Sequence, residues 1–312
     1  MIKNRLLEQF RSFYSRNTPD DMETLIEYFS IFGGLGWEID TTKDIDFLIE
    51  ELILNNFVLL RKKVEDLTLA DKGCLRLLKA LAVGDRKIFS AFNRAGLNNA
   101  NGGSALNFLE QKGLIKIEFS REEPARSLNP KGKLKREVAR YRISHKVLFT
   151  HPFIRFWFYF VAPHAREIEA SRYETFFKDF HKRRHSYTSL VFEELSEVLL
   201  NYNLRDSQIL SSGSYWDANV EIDILTITKD EKVYAAECKW SNHKVNKSEW
   251  HKLLDKCKKL GIEPTQAVLF SKRGFSKELL SHQGRELSLY SANDFKVLIK
   301  SAKKEEIVNN FF

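Results

Sequence analysis

The chain has 312 residues, 43% hydrophobic and 12% aromatic, which supplies enough apolar material for two or three packed domains. Its net charge of +8, from 50 Lys and Arg against 42 Asp and Glu, favours an anionic partner. No segment reaches the ~18 apolar residues that a membrane-spanning helix needs, so that class is excluded.

The opening M-I-K-N-R-L-L-E-Q-F-R reads as an amphipathic helix and lacks the apolar stretch of a secretion signal. Cys74, Cys238 and Cys257 are odd in number and show no ligand spacing, which points to reduced thiols and a cytoplasmic protein. Helices are expected over 21–32 and 43–56, a strand, turn and strand over 57–73, and a linking helix over 74–83. Residues 1–84 are thus expected to form a first, helical and winged-helix-like domain.

The next pattern is more specific. D-R-K-I-F-S-A-F-N-R-A-G reads as a helix closed by Gly96, a residue suited to the left-handed position after a helix. A turn, L-N-N-A-N-G-G, precedes S-A-L-N-F-L-E-Q-K-G, with Ser104 the expected N-cap and Gly113 the stop. L-I-K-I-E-F alternates as a strand, and V-A-R-Y-R-I-S over 138–144 is expected to return beside it. Helix, turn, helix, strand, basic loop and strand over 85–150 is the order of a winged helix-turn-helix. The N-terminal half therefore reads as tandem winged helices.

Such a motif commonly lays its second helix in the major groove of DNA. Asn99, Asn101, Ser104 and Asn107 are the side chains that would meet base edges or phosphates there. Lys131, Lys133, Lys135, Arg136, Arg140 and Arg142 would follow the backbone beside it, and H-K-R-R-H over 181–185 is a further basic run. The segment H-P-F-I-R-F-W-F-Y-F-V-A-P-H, apolar on every side, is expected to be a buried helical piece between the halves, within 151–180.

Residues 181–312 read as an α/β domain with a mixed sheet. A helix over 187–200 shows Val191, Phe192, Leu195, Val198 and Leu199 on one face. Strands follow over 220–225 and 233–240, joined by a tight turn, then a helix, a strand over 265–271 and a closing segment over 294–300. Alternation puts Glu221 and Asp223 on one face of the first strand and Glu237 and Lys239 on one face of the second. Ala236, Cys238 and Trp240 take the opposite side, so Cys238 is a small core residue. With a short turn between the strands, Asp223 and Glu237 stand side by side. Two such carboxylates repel unless a cation sits between them, and a hard ion with oxygen ligands, Mg²⁺ or Mn²⁺, fits that need. Lys239 adds a charge that can hold a phosphate, orient a water or stabilise a phosphorane.

The series F-E, E-I-D-I and A-E-C-K-W-S resembles the PD-(D/E)xK nuclease superfamily, whose C-terminal fold is restriction-endonuclease-like. More closely, residues 90–275 resemble the C-terminal region, DUF234, of an archaeal-type ATPase family. The carriers are G-G-S-A-L-N-F-L-E-Q-K-G-L-I, H-P-F-I-R-F-W-F-Y-F-V, E-I-D-I, A-E-C-K-W-S and L-F-S-K-R-G-F. The resemblance implies that Asp223 and Glu237 bind metal, that Lys239 assists catalysis and that Glu193 completes the site. Helical spacing by itself leaves Glu193 and Glu194 open.

The proline of the family motif is absent, and Glu221 stands two residues before Asp223 instead. No G-x-x-x-x-G-K-[ST] loop occurs, so ATP hydrolysis is not expected of this chain. Either it acts alone or it relies on an ATPase made as a separate chain, and homodimerisation stays open. The expected function is a DNA-binding, metal-dependent nuclease. The alternative is a DNA-binding regulator or adaptor that keeps the nuclease fold without cutting.

Overall fold

The structure, a computed structural model, describes residues 5–124 and 142–300. It is mixed α and β, helical in the N-terminal half and built on a five-stranded mixed sheet in the C-terminal half. Helices α1 (Arg5–Asn17), α2 (Met22–Phe32), α3 (Ile45–Ile49) and α5 (Lys72–Val83) form where apolar spacing expects them. A π-helical turn, Glu50–Leu54, extends α3.

Residues 57–73 depart from expectation. They form helix α4 (Phe57–Leu67), a turn and the start of α5 at Lys72, where the sequence suggested a strand, turn and strand. Phe57, Leu60 and Val64 bury one helical stripe, and Arg61 pairs with Glu65 at 2.8 Å one turn on. Helical periodicity and this i,i+4 pair outweigh the apolar run that resembled a strand. The first winged-helix-like unit therefore lacks its wing among the described residues.

Next come α6 (Ile88–Ala95) and α7 (Asn99–Gln111), which meet around the left-handed Gly96, φ 64°. Helix α7 begins earlier than expected. Asn98 is its cap, accepting a hydrogen bond from Asn101 N, while Ser104 lies mid-helix and donates to the Ala100 carbonyl at 3.1 Å. Asn98 captures the free N–H first, so the glycines that looked like a turn are wound into the helix. Gly102 is needed there, because a Cβ at this position would stand 2.6 Å from the Phe92 ring on α6.

Strand β1 (Ile115–Glu118) pairs antiparallel with β2 (Lys146–Phe149), in register Ile115↔Phe149 to Glu118↔Lys146. The expected second strand over 138–144 lies partly outside the described residues, and 142–144 are not in a strand. Pairing falls later because Val147 and Phe149 are the buried positions there.

The aromatic segment is α8 (Pro152–Phe156) continued by a π-helical turn, Trp157–Val161, and every residue of it is buried. It packs against α2, α5 and the long helix α10 (Glu174–Asn203), which follows α9 (Ala165–Glu169). Arg155 within it donates to the Tyr187 carbonyl at 3.0 Å and lies 4.3 Å from that ring's centroid. The Tyr187 hydroxyl reaches the Ser30 and Pro152 carbonyls at 2.8 and 3.1 Å. Helix α10 runs unbroken through position 180. One contiguous apolar cluster extends from Phe10 through this region to Leu298.

The remaining strands are β3 (Ile209–Ser211), β4 (Tyr215–Trp216), β5 (Glu221–Ile222), β6 (Ile224–Thr228), β7 (Val233–Lys239), β8 (Gln266–Ser271) and β9 (Leu287–Ser291). The large sheet has order β3-β6-β7-β8-β9, antiparallel as far as β7 and parallel from there to β9. Helix α10 covers one face, where Ala236, Cys238, Trp240 and Phe270 join the main core. Helix α11 (Lys247–Lys259) covers the other, where Leu253 and Cys257 pack with Leu225, Ala235 and Leu269. Short helices α12 (Lys277–Leu280) and α13 (Lys296–Ile299) complete the chain.

Gly102→Ala tests the α6–α7 crossing. Alanine is the better helix former, yet the clash with Phe92 predicts a loss of about 1–3 kcal/mol in urea denaturation. An unchanged or raised midpoint would show that the helices have room to separate.

Candidate active site

The strand expected over 220–225 is interrupted at Asp223. Residues 221–222 pair with β4, and the chain bends before entering β6. The Asp223 carboxylate spans this break, its Oδ2 accepting a hydrogen bond from Cys238 N at 2.8 Å. A side chain has replaced a rung of the ladder. The β6–β7 register pairs Ile224 with Ala236, so Asp223 and Glu237, each one step further, face one another across the strands. Glu221 turns away and pairs with Lys146 of β2 instead of lining up with Asp223.

On β7, the buried Glu237 and the half-buried Lys239 share the face covered by α11, and Cys238 is a core residue on the other face, as alternation requires. Lys239 Nζ donates to Glu237 Oε1 at 2.8 Å and lies 3.3 Å from Glu249 Oε2 on α11. Lys256, also on α11, donates to Glu237 Oε2 at 2.6 Å. Lys252 binds Glu249 at 2.6 Å and closes the network.

The electrostatics follow from burial. Burial pushes the Asp223 carboxyl well above its ordinary range, and the charges of Glu193 and Glu237 push it further. The Cys238 N–H and Lys256 offset this only in part. Glu193, one of the α10 carboxyls, is raised by burial and by Glu221, against the opposing charge of Arg86; Ser189 Oγ donates to it at 3.3 Å. Burial opposes the charge on Lys239, but its pair with Glu237 and the charges of Glu249 and Asp223 outweigh that and raise its pKa.

The two neighbouring glutamates differ in surroundings. The charge of Glu193 acts on Asp223, whereas Glu194 sits among Arg86, Arg155 and Glu118 and is pushed by burial to about 7. Glu193 is therefore the glutamate beside Asp223.

Glu193, Asp223 and Glu237 form an all-oxygen donor set in which mutual repulsion is only partly relieved, and its chemistry suits a hard divalent cation. Both Glu237 oxygens already hold ammonium groups. As the side chains stand, no three His, Cys, Asp or Glu groups among the described residues converge closely enough to hold an ion. A cation binding there would compete with these two ammonium groups for Glu237.

The β1–β2 hairpin is fastened beside this site. Arg121 donates to the Leu225, Gly213 and Ser214 carbonyls at 2.9, 2.8 and 3.1 Å. Glu118 accepts from Ser214 N and Oγ at 3.0 and 2.8 Å, and Trp216 Nε1 donates to the Ser144 carbonyl at 2.9 Å. The Lys146 ammonium lies 4.5 Å from the Trp216 ring centroid.

Asn99, Asn101, Ser104 and Asn107 are all solvent-exposed on α7. Lys131, Lys133, Lys135, Arg136 and Arg140 lie outside the described residues, and Arg142 is exposed. Sequence reading missed Glu249 and Lys256. Their signal was present, since both lie on one flank of the Leu253–Cys257 stripe, two helical turns apart.

Glu194 makes the site region sensitive to pH. Its carboxyl titrates at about 7 in the fold against 4.5 when free, so the folded state binds more protons between these values. Its contribution to stability is therefore full below 4.5 and is lost as the pH rises to about 7. Denaturant titrations across that window should show stability falling with pH, and Glu194→Gln should flatten the slope. An equal slope in the variant would assign the dependence elsewhere.

No curated protein matches the chain. Among solved structures, protein VC1899 from Vibrio cholerae is similar at 12% identity and a TM-score of 0.29, over 76% of this chain and 54% of that one. The chain thus spans about half the length of that neighbour, a likeness too weak to identify the fold. Residues 157–253 match the family model DUF234, described as archaea bacterial proteins of unknown function, so this segment, holding Glu193, Asp223, Glu237 and Lys239, carries the DUF234 region that the motifs indicated.

Proposed function

We propose that the chain is a DNA-binding, metal-dependent nuclease. In this reading the C-terminal sheet is a PD-(D/E)xK, restriction-endonuclease-like domain and residues 85–150 are a winged helix-turn-helix. The observation that carries it is the placing of Asp223 opposite Glu237 across β6 and β7. Lys239 lies on the same face as Glu237, and the charge of Glu193 on α10 acts on Asp223. The helix, turn and helix of α6 and α7, with a hairpin fastened to β6 just after Asp223, supports the DNA-binding half.

Asp223 and Glu237, with Glu193, would hold Mg²⁺ or Mn²⁺, which when bound supplies charge neutralisation and activation of water. Lys239 would donate a hydrogen bond to a non-bridging phosphate oxygen and stabilise the charge that builds there during phosphodiester hydrolysis. The exposed face of α7, with Asn99, Asn101, Ser104 and Asn107, would contact bases or phosphates. The basic stretch holding Lys131, Lys133, Lys135 and Arg136 would follow the backbone.

A second reading is favoured by one observation: both Glu237 oxygens are already neutralised by lysines. In that reading the protein binds DNA as a regulator or adaptor without cutting, alone or beside a separate ATPase chain.

Incubating purified protein with single- and double-stranded DNA and RNA in Mg²⁺ or Mn²⁺ separates the two. Cleavage that Lys239→Met reduces on the order of 10²–10³-fold in kcat, and that Asp223→Asn abolishes, establishes the nuclease. Metal-independent binding without cleavage, unaffected by Asp223→Asn, establishes the adaptor.

Binding tests the α7 surface separately. Asn107→Ala should weaken DNA affinity about threefold to tenfold, the worth of one polar contact. Full affinity in the Asn101→Ala/Asn107→Ala double variant would remove α7 from the interface.

A further inference from the structure

The α11 lysine at position 256 lies outside every motif read from the sequence, yet it makes the shortest contact to Glu237. Its Nζ sits 2.6 Å from Oε2, and its charge also reaches Asp223. It therefore occupies the one Glu237 oxygen not already taken by Lys239 and acts on the same two carboxylates that a cation would bridge. Its position is fixed from below, since the adjoining Cys257 and the preceding Leu253 are buried against the sheet.

The two lysines are not equivalent. Lys239 has a second carboxylate, Glu249, at 3.3 Å, and Glu249 is itself held by Lys252. Lys256 has only Glu237 among the described residues. Exposure does not separate them, at 31% for Lys256 and 33% for Lys239, so the difference lies in the number of carboxylate partners. When Glu237 gives up an ammonium, the one with a single carboxylate partner leaves at lower cost.

We propose that Lys256 is a positioning residue of this site. It holds Glu237 in place as a resident counter-ion, gives way to a divalent cation at Oε2, and once displaced offers its ammonium to a phosphate oxygen of the nucleic acid. The inference rests on the nuclease reading above and adds an exchange to it: one cation enters as one ammonium leaves Glu237 and turns to the substrate. An empty site is thereby spared unpaired carboxylate charge, and affinity for the cation is lowered by competition.

The test is calorimetric titration of Mn²⁺ into the full-length wild type, Lys256→Met and Lys256→Arg, with folding of each checked by circular dichroism. Lys256→Met removes the competitor and is expected to bind Mn²⁺ about two- to fivefold more tightly, the order set by loss of one partly exposed ion pair. Lys256→Arg keeps a cation on Glu237 and should stay near the wild type. In Ca²⁺, which occupies oxygen sites, Lys256→Met should also bind an oligonucleotide more weakly, with a salt dependence shallower by about one phosphate contact.

Equal or weaker Mn²⁺ binding in Lys256→Met, with the wild type binding normally, overturns the inference and leaves the nuclease reading standing. Binding by Lys256→Met alone supports the exchange in its strongest form. An absence of Mn²⁺ binding in all three proteins overturns the metal reading of the site and the exchange with it.

Discussion

The hydrogen bond from Cys238 N to the Asp223 carboxylate is the contact on which the site depends. It allows β6 to begin at Ile224 while residues 221–222 leave for a second small sheet, because the backbone donor on β7 is satisfied by a side chain. The same bond fixes Asp223 opposite Glu237. A strand break and a pair of facing carboxylates are thus one structural event. Its cost is buried negative charge, visible in the raised pKa values of Asp223 and Glu193 and offset by Lys256 and Arg86, with Lys239 paired to Glu237.

The surrounding architecture makes that arrangement rigid. Helix α10 carries Glu193, whose charge acts on Asp223, while its apolar side packs with Trp240 and Phe270. Helix α11 contributes the opposing charges from the other face of the sheet. Arg121, Glu118 and Lys146 fasten the N-terminal hairpin to the edge of the same site. The main core runs continuously from Phe10 to Leu298, so the helical half and the sheet share one packed interior as well as polar contacts.

Much of this was legible from local pattern. The alternation of β7, the apolar stripe of α10, the closure of α6 at Gly96 and the burial of the aromatic segment all follow from periodicity and from residues with narrow conformational roles. Errors arose where two local rules competed. Residues 57–67 are apolar enough for a strand, but the Phe57, Leu60 and Val64 spacing with the Arg61–Glu65 pair makes them a helix. Asn98 and Ser104 are both good caps, and the earlier one wins because α6 accepts the close approach of Gly102.

The sequence by itself determined which residues form the candidate site: Asp223, Glu237 and Lys239 stand out as charges within strands that are otherwise apolar. Side-chain alternation also determined that Glu237 and Lys239 share a face. Only the tertiary structure separates the surroundings of Glu193 and Glu194, because both lie on the same side of one helix and differ only in what approaches them from elsewhere. It likewise decided that Glu221 serves Lys146 and that Lys256 serves Glu237. Those pairs join segments distant in the chain, and their charges meet only after the sheet and its two covering helices have packed.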